Sequence, residues 1–192
     1  WAALAISLLF PAVFVAISMY HQEMLPVKLL LSMTSAKQFV PFNVATEVLA
    51  MLIAFELLQE AGLRLPDPVG QTASIIGALI VGQSAVEAKV VSPIAVIVVA
   101  LAGISGYTMP SQDLGSAVRL GRLLLVAVAA LLGLYGVIAA TALIIWYAAG
   151  LESFGKAYTA PFTGSDTAAL VRVFLKGPNR ANKFRSARLA GE

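Results

Sequence analysis

The chain has no cysteine and a single histidine, His21. The first absence excludes disulfides, a thiolate metal site and a thiol nucleophile. With one histidine there is no metal-ligand cluster and no Ser/His/Asp set, and no glycine-rich loop of the phosphate-cradling kind occurs. Metal: none and cofactors: none are therefore the expectations, and a membrane enzyme finds no support. Charge is scarce as well. Asp, Glu, Lys and Arg together make 12% of the residues, about half the fraction usual in a soluble domain. Internal repeats are absent, because "GQ" at 70–71 and 82–83 is two dipeptides rather than a unit. The repeat symmetry common in secondary transporters is thus not visible.

What fills the space is apolar. Hydrophobic residues make 59% of the 192 and the mean hydropathy is +0.88, the composition of a membrane protein. Four runs are long enough to cross a bilayer core of about 30 Å: residues 1–20, 68–86, 90–112 and 123–151. The first begins at Trp1 with no basic leader and no small-residue cleavage site, so it reads as a span rather than a signal peptide. It also reads as the start of a fragment whose upstream part is missing. Pro11 should kink this span, which membrane neighbours tolerate. The last run is longer than one crossing needs, so tilt or overhang is expected.

Gly70, Ser74, Ala78 and Gly82 recur every four residues and form one face of small side chains, the pattern that lets helix backbones approach closely in lipid. Gln71 and Gln83 lie in or beside that span, with interhelical hydrogen bonding as the plain reading. Arg119 and Arg122 read as interface anchors of the last span, and Glu87 and Lys89 as caps of a hairpin turn. Between Arg172 and Arg188 the chain carries six basic residues and no acid. That predicts a basic cytoplasmic C-terminal tail over 152–192, able to touch anionic membrane lipid. Nearly no aromatic residue is present there for base stacking, so no nucleic acid partner is expected.

One stretch resists this description. "TEVLAMLIAFELLQEAG", residues 46–62, reads as a helix yet carries Glu47, Glu56 and Glu60. An acidic residue at a helix centre in hydrocarbon costs roughly 2.5–3.5 kcal/mol, so three deep ones would cost about 8 kcal/mol. At about 100° per residue, Glu56 and Glu60 lie about 40° apart while Glu47 lies about 180° from Glu56. The sequence therefore predicts an all-α polytopic membrane helical bundle. It has about four full spans in a membrane domain over 1–151, plus an amphipathic or re-entrant glutamate-bearing helix. Five spans with the N-terminal side outside is the alternative. Glu47, Glu56, Glu60, Gln71 and Gln83 are pore or vestibule candidates, since acidic rings favour cations. The competing reading is that the glutamates pair with Lys or Arg and only fix the assembly.

The segments "YHQEMLP" (20–26), "AFELLQEAGLRLP" (54–66), "GALIVGQSAVEAKVVSPIAVIVVAL" (77–101), "RLGR" (119–122) and "SFGKAYTAP" (153–161) occur in this order. Together they resemble the membrane domain of the GerA spore germination family, A-subunit type, over about residues 5–165. The chain departs from the family pattern at Phe39 and Asn43 in "FVPFN", at "MPSQ" (109–112), and at Lys89, where the family has glycine. The resemblance implies a membrane subunit of a spore germinant receptor in the spore inner membrane. It implies a homo-oligomer, a pentameric ring conducting ions when germinant binds, with a transporter-like B subunit and a lipoprotein C subunit as partners. Two other readings stand beside it: a non-conducting signalling subunit, and a SpoVAF-like amplifier of germination.

Overall fold

The computed structural model describes the backbone of residues 2–63, 69–109, 111–153 and 156–157, and the side chains of 2–62, 76–109, 111 and 113–151. The side chains of Gly70, Gln71 and Ser74 and the basic tail from Arg172 to Arg188 lie outside the described residues.

Six helices occur among the described residues: α1 (Ala2–Tyr20), α2 (Val27–Lys37), α3 (Val44–Leu63), α4 (Val69–Glu87), α5 (Pro93–Gly106) and α6 (Gln112–Gly150). A short 3₁₀ turn, Gln22–Met24, follows α1, and a two-residue antiparallel ladder pairs Glu152–Ser153 with Lys156–Ala157. The chain divides into two compact units, Trp1–Thr141 and Ala142–Glu192. Two helices are long and apolar enough to cross a membrane, Ala2–Tyr20 and Asp113–Gly150; Ile76–Glu87 and Pro93–Gly106 are shorter apolar helices. The expectation of four full spans is met only in part. The run 90–112 contributes just 14 helical residues, about 21 Å at 1.5 Å per residue.

Local chemistry sets the helix ends. Asn43 caps α3: its Oδ1 accepts from the Thr46 backbone N–H at 2.8 Å and from the Thr46 hydroxyl at 2.6 Å. This satisfies one of the donors that a helix start leaves orphaned. Helix α4 closes in a Schellman turn, with Val90 N–H donating to Ala85 O and Lys89 N–H to Val86 O, both at 3.0 Å. Lys89 takes the left-handed position at φ 56°. That position favours glycine, which is what the family pattern places there. Ser92 caps α5 through its hydroxyl oxygen, which accepts from Ala95 N–H, and Pro93 occupies the first turn.

The overlong run 123–151 is not one tilted span. Helix α6 breaks at Gly133, whose φ of 63° and ψ of −149° are open to glycine alone among ordinary residues. A Cβ on Gly136 would lie 3.2 Å from the carbonyl oxygen of Val128, although eight residues of unbroken helix would separate the two by about 12 Å. The chain therefore folds back sharply. The phenol of Tyr20 packs where a Gly133 side chain would stand and donates to Ala130 O at 2.6 Å. This supplies a partner to a carbonyl beside the break.

Side-chain neighbours fix helix directions. Leu8 lies against Gly121 and Tyr20 against Gly133, so α1 and the first segment of α6 run parallel. Ser7 lies against Gly106 while Ser18 and Ile94 line one cleft, so α1 and α5 are antiparallel. Glu47 meets Ser92 and Phe55 meets Gly103, so α3 is parallel to α5. Leu58 meets Gly77 and Gly82 meets Val96, which sets α4 antiparallel to both. Helices α1, α3, α4, α5 and early α6 thus alternate in direction. Their shared core includes Ala12, Val15, Val48, Leu52, Val99, Ala102, Leu125 and Val126, all with no exposed surface.

Helix α3 is a continuous element of 20 residues, about 30 Å long, running with the bundle. A re-entrant α3 would reverse α6 relative to α1. Because the chain lacks cysteine, thiol cross-linking tests this directly. The pair Leu8→Cys with Gly121→Cys should couple efficiently through a short bifunctional reagent, and Leu8→Cys with Leu132→Cys should not, being separated by a further 16 Å or so of helix. The opposite pattern would refute the parallel α1–α6 arrangement.

Candidate functional site: the charge clusters of the third helix

The half-turn between Glu47 and Glu56 sends the two carboxylates to opposite faces of α3. Glu47 is 1% exposed. Its Oε2 accepts from the Ser92 backbone N–H at 3.0 Å, and its Oε1 lies 3.2 Å from the Lys37 ammonium. The second contact is ionic rather than well-angled hydrogen bonding. Ser92 is the N-cap of α5, and its own N–H is the donor that a glutamate three residues on would accept in a capping box. That position is Ala95, and Glu47 supplies the missing carboxylate from another helix. One buried side chain thereby ties α3 to the start of α5 and to the end of α2. The α2–α3 and α4–α5 connections are joined a second time by the Lys89 ammonium, 4.2 Å above the Phe39 ring.

Glu56 is half-buried and meets two cations of α6. Its Oε1 lies 3.1 Å from Arg119 Nε and its Oε2 accepts from Arg122 Nη2 at 3.5 Å. Arg119 also donates to Gln59 Oε1 at 3.4 Å and to the Ser116 hydroxyl at 2.8 Å. Arg122 is 1% exposed. It is a buried charge held by its counter-ion, the usual condition for keeping one inside a protein. Arg119 is paired in the same cluster.

The remaining candidates separate. Glu60 is exposed one turn beyond Glu56. Gln83 is exposed and donates to Glu87 Oε1 at 3.0 Å within α4, so it bonds along its own helix rather than across helices. Gly82 is buried, and a Cβ there would stand 3.3 Å from Val96 of α5; Ala78 is half-buried. His21 sets its ring edge-on to Tyr135 with centroids 6.2 Å apart. Among the described residues no group of three His, Asp or Glu is placed to hold a metal ion. Lys37 and Ser92 were the partners sequence reasoning missed. The Ser-Pro start of α5 without an acid at position 95 was the available signal for Ser92.

The described residues form an all-helical bundle with paired charges in its interior and two helices long and apolar enough to cross a membrane. The model of the Bacillus/Clostridium GerA spore germination protein family matches residues 1–187, and the chain belongs to that family. It is 38% identical to spore germination protein KA of Bacillus subtilis over 187 residues, 97% of this chain and 34% of that protein. It is 36% identical to spore germination protein GerLA of Bacillus cereus, over 94% of this chain and 37% of the relative. It is also 38% identical to the uncharacterized membrane protein YfkQ of Bacillus subtilis, over 91% of this chain and 34% of that protein. The chain spans about a third of the length of these curated relatives. No solved structure matches it.

The Glu47 tie makes a graded prediction. Glu47→Gln keeps an acceptor for Ser92 but removes the counter-ion of Lys37, and should lower stability by about 1–3 kcal/mol. Glu47→Leu also orphans the Ser92 N–H and should cost about 3–5 kcal/mol. Thermal unfolding of the full chain in detergent, followed by circular dichroism, reads both. Equal, unchanged melting of the two variants would contradict the tie.

Proposed function

We propose that the chain is the membrane part of a spore germinant-receptor A subunit, and that a ring of copies, pentameric as the family resemblance implies, passes cations when nutrient is sensed. The observation that carries this reading is the inward placement of paired charges within a bundle whose outer side chains are apolar. Leu120, Leu124, Leu131, Leu132 and Ile138 of α6 are all more than half exposed, a surface suited to lipid or to neighbouring subunits and not to water. The B-type transporter-like subunit and the lipoprotein C subunit are the proposed partners.

The alternating helices suggest how the chain lies in the membrane. In this reading α1, α3, α4, the run 90–112 (α5 with the residues that flank it) and α6 up to Leu132 are five passes. The charge-free 17 residues from Leu134 to Gly150 are long enough for a sixth, since about 17–25 residues suffice. With the start of α1 on the cytoplasmic side, the end of the bundle holding Arg119 and Arg122 lies there too, as the positive-inside tendency favours.

Within such a ring the three glutamates take different parts. Glu47 is buried and Glu56 half-buried, and Glu60, one turn on, is the most exposed of the three and so the one best placed to face a cation path. The pairing of Glu56 with two arginines specifically favours a second reading, a subunit that relays the germinant signal without conducting. Cation release from germinating spores separates the two. Glu60→Gln keeps size and hydrogen bonding and removes one charge per subunit. In the conducting reading cation preference falls severalfold across the ring; unchanged rate and preference at normal protein level would support the relay.

A further inference from the structure

A cleft of about 550 Å³ opens where the end of α1, the inner side of α2 and the starts of α3 and α5 meet. This lies within the span of roughly 300–1,000 Å³ typical of small-molecule sites. Its apolar wall is made by Phe14, Met19, Leu30, Met33 and Ile94. Its polar side is made by Ser18, Thr34, Lys37 and Asn43 among others. Ser18 is only 6% exposed, and its hydroxyl has no hydrogen-bond partner. Such a group costs free energy unless something fills it.

The hydrogen-bonding inventory narrows the occupant. Asn43 spends its carbonyl oxygen on the α3 cap, so its amide nitrogen is left to donate. Lys37 spends one direction of its ammonium on Glu47 and keeps the others. Among the described residues no carboxylate lines the cleft, so an amine or a metal cation finds no counter-charge there, whereas an oxygen-rich head group meets several donors. The cleft is flanked by an exposed apolar rim, with Val27 at 70%, Leu31 at 65% and Phe39 at 65%. Exposed apolar side chains beside a donor-lined cleft suit the boundary of headgroups and acyl chains.

We propose that the cleft is a lipid site. It takes one acyl chain of a glycerophospholipid along Phe14, Met19, Leu30 and Met33, and the ester and phosphate oxygens meet Asn43 and Lys37. The bound head group then sits beside the Lys37–Glu47 pair that joins α2, α3 and α5. Lipid occupancy therefore bears on how firmly α2 is held against the bundle.

The test uses the full chain in bilayer nanodiscs doped with a phosphatidylglycerol analogue that carries a photoreactive diazirine on one acyl chain. After irradiation and digestion, adducts should concentrate between residues 14 and 33. Met33→Trp and, on the facing wall, Ile94→Trp should each lower this labelling by about tenfold, the scale expected from over-filling a fitted cavity. Ser18→Ala should lower it less. Excess inorganic phosphate should not compete; if it does, the site holds free phosphate and the lipid assignment fails. Adducts spread evenly over outward residues such as Leu131 and Leu132, with both Trp variants unaffected, would mean annular lipid only and overturn the proposal. Photo-linked dimers through the cleft in place of lipid adducts would assign it to a second copy of the chain and overturn it equally.

Discussion

An ionised carboxylate inside an apolar bundle has to be answered by a counter-charge or by donors, because the interior supplies no water to do it. Helix α3 carries that constraint twice, on opposite faces. Glu56 is answered by Arg119 and Arg122 of α6, and Glu47 by Lys37 of α2 and the N–H of Ser92 at the head of α5. In these two clusters α3 is joined to α2, to α5 and to α6. Removing α3 would strand Arg122 without its counter-ion and leave the Ser92 N–H at the head of α5 without an acceptor.

Packing elsewhere follows from how closely the backbones approach. Gly103 admits the Phe55 ring where any side chain would collide with it, and Gly82 sits against Val96. In lipid, where apolar side chains gain little by leaving their surroundings, such close approach and interhelical polar ties are what hold helices together. The Gly133 break uses the same economy: Tyr20 fills the space and satisfies Ala130 O. Beyond it the large apolar side chains Leu143, Ile145 and Trp146 of α6 are exposed. That is the surface a lipid-embedded or assembled subunit requires.

Much of this was legible in the residues. Apolar run length located α1 and α4 to within a few residues, and the proline and glycine punctuation located the α4–α5 turn. The 3.6-residue period correctly set Glu47 and Glu56 on opposite faces. The Gly133 break was not legible, because a single glycine in an apolar run is common in membrane helices and only the backbone angles reveal the turn. The roles of the arginines were also hidden. Counting positive charges treats a basic residue near a span as a loop or interface charge, whereas Arg122 lies ten residues inside α6 and is paired across to a helix 66 positions away in sequence. The departures from the family pattern carried information of their own. Asn43 caps α3, and Lys89 occupies a backbone conformation natural to glycine while reaching Phe39.

The central claim is that α3 holds the bundle through interior charge pairs, and a double-mutant cycle on Glu56 and Arg122 measures it most directly. Glu56→Gln alone leaves the Arg122 charge buried without its counter-ion and should destabilise the chain by about 3–5 kcal/mol. Adding Arg122→Met removes that stranded charge and should recover part of the loss, giving a coupling energy of about 1–3 kcal/mol by unfolding in detergent. Strictly additive losses would contradict the account.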